Sequence, residues 1–562
     1  GDTVAGDTVA GDTVAGDTIA GDTGGSDQVI SYRMRGAAMD YDVIVVGGGM
    51  AGLTAAAYLT KAGHTTLVCE KEPACGGLVH TFERNGFVYD GGIRAMENSG
   101  IVLPMLKDLG LDIEFVRNRV SIGIEDRIIW VDSVDAVAEY EALLAHLYPS
   151  SSDDIAEIVD QIRKSMRYMD IQYGIDNPVF LDPREDRAYF LKAILPWMVK
   201  YALTIGKVNR LKVPVVAYLE RFTQNQSLVD ILTQHFFQGT PAFFALSYFS
   251  LYLDYHYPRG GTGVVPERLV DFITAHEGSI NTNTEIVAVD VKHRSLRDAA
   301  GNTHTYRKLI WAADLKSLYR MVDPDAFDDA PVRRAVQQRR RDVLGNSGGD
   351  SVLTVYLALD LDKSYFAERA SEHFFYTPRR EGQSKAGPMP IGEPREAIEA
   401  WLERFFALTT YEISCPVLRD DSLAPPGKTG LIVSMLFDHQ LTRQIAEMGW
   451  YDEFKAISEA SMIDTLDASI FPGLKDAVLD RFVSTPLTIA RIAGTADGAI
   501  TGWAFTDKGM PAENRLLGVT NSVRTPIPDV FQAGQWTFSP SGFPTAILTG
   551  KLAADQVSKT LK

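Results

Sequence analysis

The run from Tyr41 to Glu70 leaves this chain few ways to fold. Asp42-Val-Ile-Val-Val46 is short and β-branched, the composition of a parallel strand buried on both faces. Met50 to Lys61 reads as a helix closed by Gly63, and Thr65-Thr-Leu-Val-Cys-Glu70 as a second strand. Strand, turn, helix and strand in about 30 residues make a βαβ unit. Its turn, Gly47-Gly48-Gly49-Met50-Ala51-Gly52, places glycines at 47, 49 and 52. The first permits a tight turn, the second lets backbone approach a pyrophosphate, and the third lets the helix pack close to the strand. A bare pattern of this kind also occurs in ordinary turns, but here it follows a strand and opens a helix, whose free N–H groups attract phosphate. Glu70 ends the second strand 18 residues after Gly52, where a carboxylate accepts hydrogen bonds from ribose hydroxyls and repels a 2′-phosphate.

The 562 residues, 45% of them hydrophobic, suffice for two to four domains at roughly 150 residues each. A formal charge of −18 repels a phosphate backbone, so nucleic acid is not an expected partner. Cys69, Cys75 and Cys415 form no CxxC pair, which gives neither a disulfide framework nor a zinc site, and no metal is expected. Neither a signal-peptide pattern nor an apolar run long enough to span a bilayer is found. The first 25 residues repeat GDTVA, GDTIA and GDTGG with almost nothing to bury, and are expected to be disordered; a start at Met34 or Met39 fits the same reading.

A second glycine pair, Gly76-Gly77, follows Glu70-Lys71-Glu72-Pro73-Ala74-Cys75, and Phe87-Val-Tyr-Asp-Gly-Gly92 comes next. These motifs resemble the FAD-binding signature of the amine oxidase and phytoene desaturase superfamily, in which an arginine often follows the pair where Leu78 stands here. The end of the chain is similar to the segment that closes over the flavin in that group: Thr525 to Trp536, then Ser541-Gly-Phe-Pro-Thr-Ala-Ile-Leu-Thr-Gly550, with a strand ending at Gly534 and a helix from Pro544 to Val557. Tyr257-Pro-Arg-Gly-Gly-Thr-Gly-Val264 looks like the YPxGG turn of phytoene desaturases, which leads to the strand beside the adenine. Thr485-Pro-Leu-Thr488, Arg491 and Gly498-Ala-Ile-Thr-Gly-Trp503 resemble segments of carotenoid desaturases, carotenoid isomerases and retinol saturases.

The resemblance runs from about Asp40 to the C-terminus and implies an α/β protein. A Rossmann-like FAD/NAD(P)-binding domain would be interleaved with a sheet-plus-helices substrate domain, as in p-hydroxybenzoate hydroxylase and the amine oxidases. The expected order is a low-complexity tail (1–38), the first part of the FAD domain (39–131), a helical substrate or membrane-associating region (132–255), the second FAD part (256–330), the substrate domain (331–484) and a C-terminal return (485–562). FAD is the implied cofactor. Its implied contacts are Gly47, Gly49, Met50, Ala51, Gly52, Glu70, Lys71, Gly76, Gly77, Leu78, Ile286, Ala313, Gly534, Gln535, Phe543, Pro544 and Thr545. The implied activity is hydride exchange with flavin N5 at a carbon–carbon double bond of an apolar, isoprenoid substrate: desaturation, saturation or isomerisation. A flavin amine oxidase is the alternative, and a prenyl-binding module like the GDP-dissociation inhibitors, without flavin, is a third.

No triad or metal cluster is needed for such chemistry, and the ten histidines show no ligand spacing, so no catalytic residue is assigned. Arg94 is either near the flavin or a salt-bridged structural arginine; Trp536 and Phe543 either stack near the ring or belong to the core. Between Arg187 and Leu219 the chain carries Arg187, Lys192, Lys200, Lys207, Arg210 and Lys212 and no acid, interleaved with apolar bulk. That composition fits a helix lying in an anionic membrane surface or a helical cap packed on its own domain. The aromatic run Pro241 to Leu253, too short to span a bilayer, fits the lining of an apolar tunnel or plain core. The expected location is the cytoplasm, either free or peripheral on the inner face of a membrane.

Overall fold

The computed structural model describes residues 41–181, 186–506, 509–515 and 518–561. The GDTVA repeat lies outside the described residues.

Strand β1 (Tyr41–Val46) is the centre of the first sheet. Val43 and Val45 enter one apolar cluster, Ile44 and Val46 another on the opposite side, so both faces are covered and every inward position is hydrophobic. Strand β2 (Thr66–Cys69) and Ser279–Asn281 flank it on one side; Thr303–Trp311 and Val530–Gln532 flank it on the other, all in parallel register. A meander of Ile286–Asp290 and Ser295–Asp298 leads antiparallel into Thr303–Trp311. The stretch from Ser279 onward forms two strands, Ser279–Asn281 and Ile286–Asp290, separated by a turn at Asn283, which adopts φ +51°.

Helix α1 (Met50–Lys61) matches the bounds expected from its spacing. The C-terminal helix, Phe543–Leu561, packs along it at close range: a Cβ on Gly550 would overlap Ala51 O and sit 3.1 Å from Thr54 Cβ. A residue from the last fifteen of the chain therefore sets the spacing of the first helix.

The second sheet runs in the order Val478–Ser484, Ser351–Leu359, Thr429–Phe437, Tyr411–Ser414, His373–Thr377, Val120–Ile124 and Arg127–Val131. Neighbours are antiparallel except for His373–Thr377 against Val120–Ile124. Its outer face carries Leu353, Val355, Phe374, Tyr376, Ile413 and Val433 into a core shared with helices Arg395–Leu408 and Tyr451–Asp467. The inner face meets the aromatic hairpin Thr81–Asp90 at one end and, at the Val120 end, the helices of residues 136–255. The segment Arg379–Glu396 is mostly irregular, with one short helical turn at Gln383–Ala386 before the helix begins at Arg395.

Gly550→Ala should force the two helix backbones apart and lower stability by about 1–3 kcal/mol; chemical denaturation of the purified protein checks this, and an unchanged midpoint would count against the close approach.

Candidate functional site

The glycine turn is built by steric demand. Gly47 holds φ +103°, donates its N–H to Cys69 O at 2.9 Å, and has Ala312 C and O where a Cβ would come within 2.9 Å. Gly52 would overlap Gly47 O if it carried a side chain. Gly49 differs: it precedes α1 without a side-chain cap, and a Cβ on it would meet nothing within 4 Å. Open ground therefore lies over the first-turn N–H groups of α1, to which Met50 and Ala51 contribute backbone while their side chains are buried.

Glu70 stands at the end of β2, buried, with Oε2 accepting from Gly48 N at 2.6 Å and Oε1 from Glu72 N at 2.9 Å. A carboxylate has about four acceptor positions, so each oxygen retains capacity for a ribose hydroxyl. The second glycine pair folds straight onto the first loop. Gly76 donates to Gly48 O at 2.8 Å, and Gly77, at φ +60°, would bring a Cβ to 3.3 Å from Gly49 Cα. Ala313 N lies beside Gly47, and Gly534 donates to Thr549 Oγ1 at 3.0 Å while facing Ala51. Phe543, Pro544 and Thr545 open the C-terminal helix that lies along α1, and Gln535 sits against Gly502. Lys71 turns aside to donate to Arg491 O at 2.7 Å; Leu78 serves through its carbonyl, which accepts from Ile93 N at 3.1 Å; Ile286 lies in the apolar cluster with Leu67 and Cys69. Trp536 is core, edge-on to Trp503 with ring centroids 4.7 Å apart.

Asp90 joins the Asp-Gly-Gly turn to the YPRGG turn, accepting from Tyr257 Oη at 2.8 Å and from Thr262 N and Oγ1, each at 2.9 Å. Just beyond it, Arg94 is 7% exposed and donates through Nη2 to Ser434 Oγ at 2.7 Å and Thr354 Oγ1 at 3.4 Å, both on the inner face of the second sheet. Among the described residues no carboxylate comes within 4.0 Å of it, so the salt-bridged alternative is not what the structure shows.

Three groups escaped the sequence. Glu97 pairs in register with Tyr255, and its Oε1 lies 3.6 Å from the Cβ position of Gly542, immediately before the C-terminal helix. Burial, reinforced by the Asp254 carboxylate, pushes its carboxyl up to about 7. Glu412 places Oε1 3.0 Å from Nε2 of buried His373 on the same sheet face. His235 lines a cavity of about 40 Å³ and is lowered to about 4 by burial, hence neutral at pH 7. The wall also takes Ile122, Phe375 and, from the aromatic run, Ala245, Leu246, Tyr248, Phe249 and Tyr252, which fold into helices Ala242–Leu246 and Tyr248–Leu253. Isolated carboxylates and histidines have no periodic signature, so only the fold gathers them.

Helix Leu195–Asn209 buries Tyr201, Thr204 and Val208 and exposes the opposite stripe. Leu191, Leu195, Met198, Val199 and Leu203 are each more than half exposed, Leu203 at 73%. Lys192, Lys200, Lys207 and Arg210 are exposed around them. Among the described residues no helix is long and apolar enough to cross a membrane.

The open cradle at Gly49, bounded by Gly77 and faced by the Glu70 carboxylate, fits an adenine dinucleotide. The model of the family described as flavin containing amine oxidoreductase matches residues 50–453. An all-trans-retinol 13,14-reductase from Danio rerio is 22% identical over 92% of this chain and 86% of its own. A 4,4'-diapophytoene desaturase from Staphylococcus aureus is 21% identical over 92% and 99%. In fold, a putrescine oxidase triple mutant superimposes with a TM-score of 0.59 at 13% identity, covering 93% of this chain and 99% of that one.

Gly49→Val should leave the fold intact, because its Cβ has free space, yet weaken FAD binding at least about tenfold, or about 1.4 kcal/mol. Fluorescence titration of the apoprotein with FAD measures this, and unaltered affinity would remove the phosphate role from that ground. With its dinucleotide cradle and a family match across most of its length, the chain belongs to the flavin-containing amine oxidoreductase family and is an FAD-dependent oxidoreductase.

Proposed function

We propose that the enzyme exchanges a hydride between FAD and a carbon–carbon double bond of an apolar, isoprenoid-like substrate, by desaturation, saturation or isomerisation. The supporting observation is the lining next to the inner sheet face: Ile122, Phe236, Phe249, Tyr252 and Phe375 with a neutral His235 suit a hydrocarbon chain and offer a cation no counter-charge. The cavity of about 40 Å³ is smaller than such a chain, so this reading requires the wall to part on binding. Two relatives are named as a retinol 13,14-reductase and a diapophytoene desaturase, which agrees with this reaction class. Bound FAD supplies the two-electron chemistry. The chain's own residues exclude water at the aromatic wall and hold a proton at Glu97, whose carboxyl is half-protonated near neutrality.

A flavin amine oxidase is the second reading, favoured by Glu412, an ionisable carboxylate on the inner sheet face that would suit a cationic amine. The two separate on one experiment. Mixed anaerobically with a retinol or a carotene, reduced holoenzyme should be reoxidised as the alkene is saturated or should isomerise it with no net flavin oxidation, or oxidised holoenzyme should be reduced by the more saturated polyene as it is desaturated. Oxidised holoenzyme should resist reduction by putrescine; reduction by putrescine with none of the three polyene outcomes overturns the alkene reading. Glu97→Gln should slow the alkene step about 100-fold. In the reductive direction the protonated carboxyl is needed, so the wild-type rate should fall as pH rises through about 7 while the variant's profile is flat there.

Peripheral contact with an anionic bilayer belongs to the same proposal. The exposed stripe Leu191, Leu195, Met198, Val199 and Leu203, ringed by lysines in a chain of charge −18, is the surface that would dip into it and collect an apolar substrate. Leu195→Glu with Leu203→Glu should reduce co-sedimentation with phosphatidylglycerol vesicles at least about tenfold, each leucine contributing about 1.5–3 kcal/mol when buried. Turnover of detergent-dispersed substrate should persist, and undiminished vesicle binding would place the contact elsewhere.

A further inference from the structure

Strand register lines up Thr354, Ser434, Glu412, Phe375 and Ile122 as side-by-side neighbours on the inner face of the second sheet. At about 4.8 Å per strand the row is about 19 Å long. It changes character along its length: hydroxyls at Thr354 and Ser434, a carboxylate at Glu412, then an aromatic ring and an aliphatic side chain. Phe375 and Ile122 wall the apolar cavity, and Arg94 closes the other end.

Arg94 is incompletely satisfied. Its Nη2 reaches Ser434 and Thr354, but its buried Nε has no hydrogen-bond partner, and no carboxylate lies within 4.0 Å among the described residues. Leaving a buried donor unpaired costs about 1–3 kcal/mol, and more when it is charged. Arg419, 6% exposed in the same region, has a partner on each of its three guanidinium nitrogens, as expected of an arginine with an architectural role. Its Nε donates to Asn118 Oδ1 at 2.5 Å, Nη1 to Ser414 Oγ at 2.9 Å and Nη2 to Glu372 O at 2.9 Å, and its guanidinium stacks on Tyr257 at 4.5 Å. Arg94 keeps a donor in hand, at the polar end of a row that leads to an apolar cavity.

We infer that Arg94, with Ser434, Thr354 and Glu412, recognises the neutral oxygen terminus, hydroxyl or carbonyl, of a substrate whose apolar chain runs along the row toward Phe375 and Ile122. The inference rests on the alkene reading above and adds the substrate's polar end to it. The Arg94 N–H donates to the substrate oxygen, and an alcohol can in turn donate to Glu412. Burial alone would raise the Glu412 carboxyl, but the His373 contact and the Arg94 and Arg419 guanidiniums outweigh it and hold it ionised. A substrate carboxylate would therefore meet a second negative charge, whereas a neutral oxygen meets a donor and an acceptor.

The test compares ligands with one chain and three ends: all-trans-retinol, its deoxy hydrocarbon analogue and retinoic acid. They are titrated into oxidised holoenzyme with binding read from flavin absorbance and ligand fluorescence. Retinol should bind at least about tenfold tighter than the hydrocarbon or the acid, because a site built to bond an oxygen loses its pairing without one. Arg94→Met should bring retinol to within about twofold of the hydrocarbon, leaving hydrocarbon affinity and FAD content unchanged. Arg94→Lys should recover part of the preference, which a merely structural role would not. Equal affinity for all three ends in the wild type, or preference for the acid, overturns the inference alone. So does loss of FAD from a folded Arg94→Met, which would assign the donor to the cofactor. If none of the three binds, the alkene reading falls as well.

Discussion

A buried carboxylate holds the two halves of this enzyme in register. Asp90 has no exposed surface, and its three hydrogen bonds come from residues 167 and 172 positions further along the chain. A buried carboxyl group in such a place is tolerated only when its oxygens find donors, so the Asp-Gly-Gly turn and the YPRGG turn must stay together. Two of the groups used at the site hang from that junction. Arg94 and Glu97 lie four and seven residues past Asp90, and Glu97 pairs with Tyr255, two residues before Tyr257.

Steric economy at glycine does the complementary work on the dinucleotide side. Gly47, Gly52 and Gly550 are places where backbone or helix presses on backbone, and any side chain would part the elements. Gly49 is a place where the protein leaves room. The distinction is physical: the close-approach glycines, among which Gly77 also belongs because its Cβ would come to 3.3 Å from Gly49 Cα, close the fold, and Gly49 opens it to a ligand. Because Gly550 sits in the last helix and Gly52 in the first, the cradle exists only when both ends of the described chain have come together.

The second sheet divides its two faces between stability and chemistry. Alternation along each strand sends Val355, Phe374, Ile413 and Val433 outward to a close-packed core and sends Thr354, Phe375, Glu412 and Ser434 inward. The inner face is then shared by three neighbours: an aromatic hairpin, the Arg94 turn and the helical region. Polar groups gather where the turn meets the sheet, and apolar ones where the helices do.

Much of the dinucleotide half was legible because its signals are local. A β-branched run, three glycines at fixed spacing and a strand-end glutamate act over about 30 neighbouring residues, and the steric and electrostatic reasons for them operate within that span. The basic, apolar composition of residues 187–219 was equally plain, but composition cannot say which side of a helix faces out. The tertiary structure decided that Tyr201, Thr204 and Val208 point inward and leave Leu195, Met198, Val199 and Leu203 exposed. It also decided that Arg94 has hydroxyl partners and, among the described residues, no carboxylate within 4.0 Å, and that Glu97 meets the start of the C-terminal helix. Those outcomes depend on burial and on contacts across hundreds of residues. An ionisable side chain carries no sequence period that announces its neighbours, so its chemistry is fixed only when the chain has folded around it.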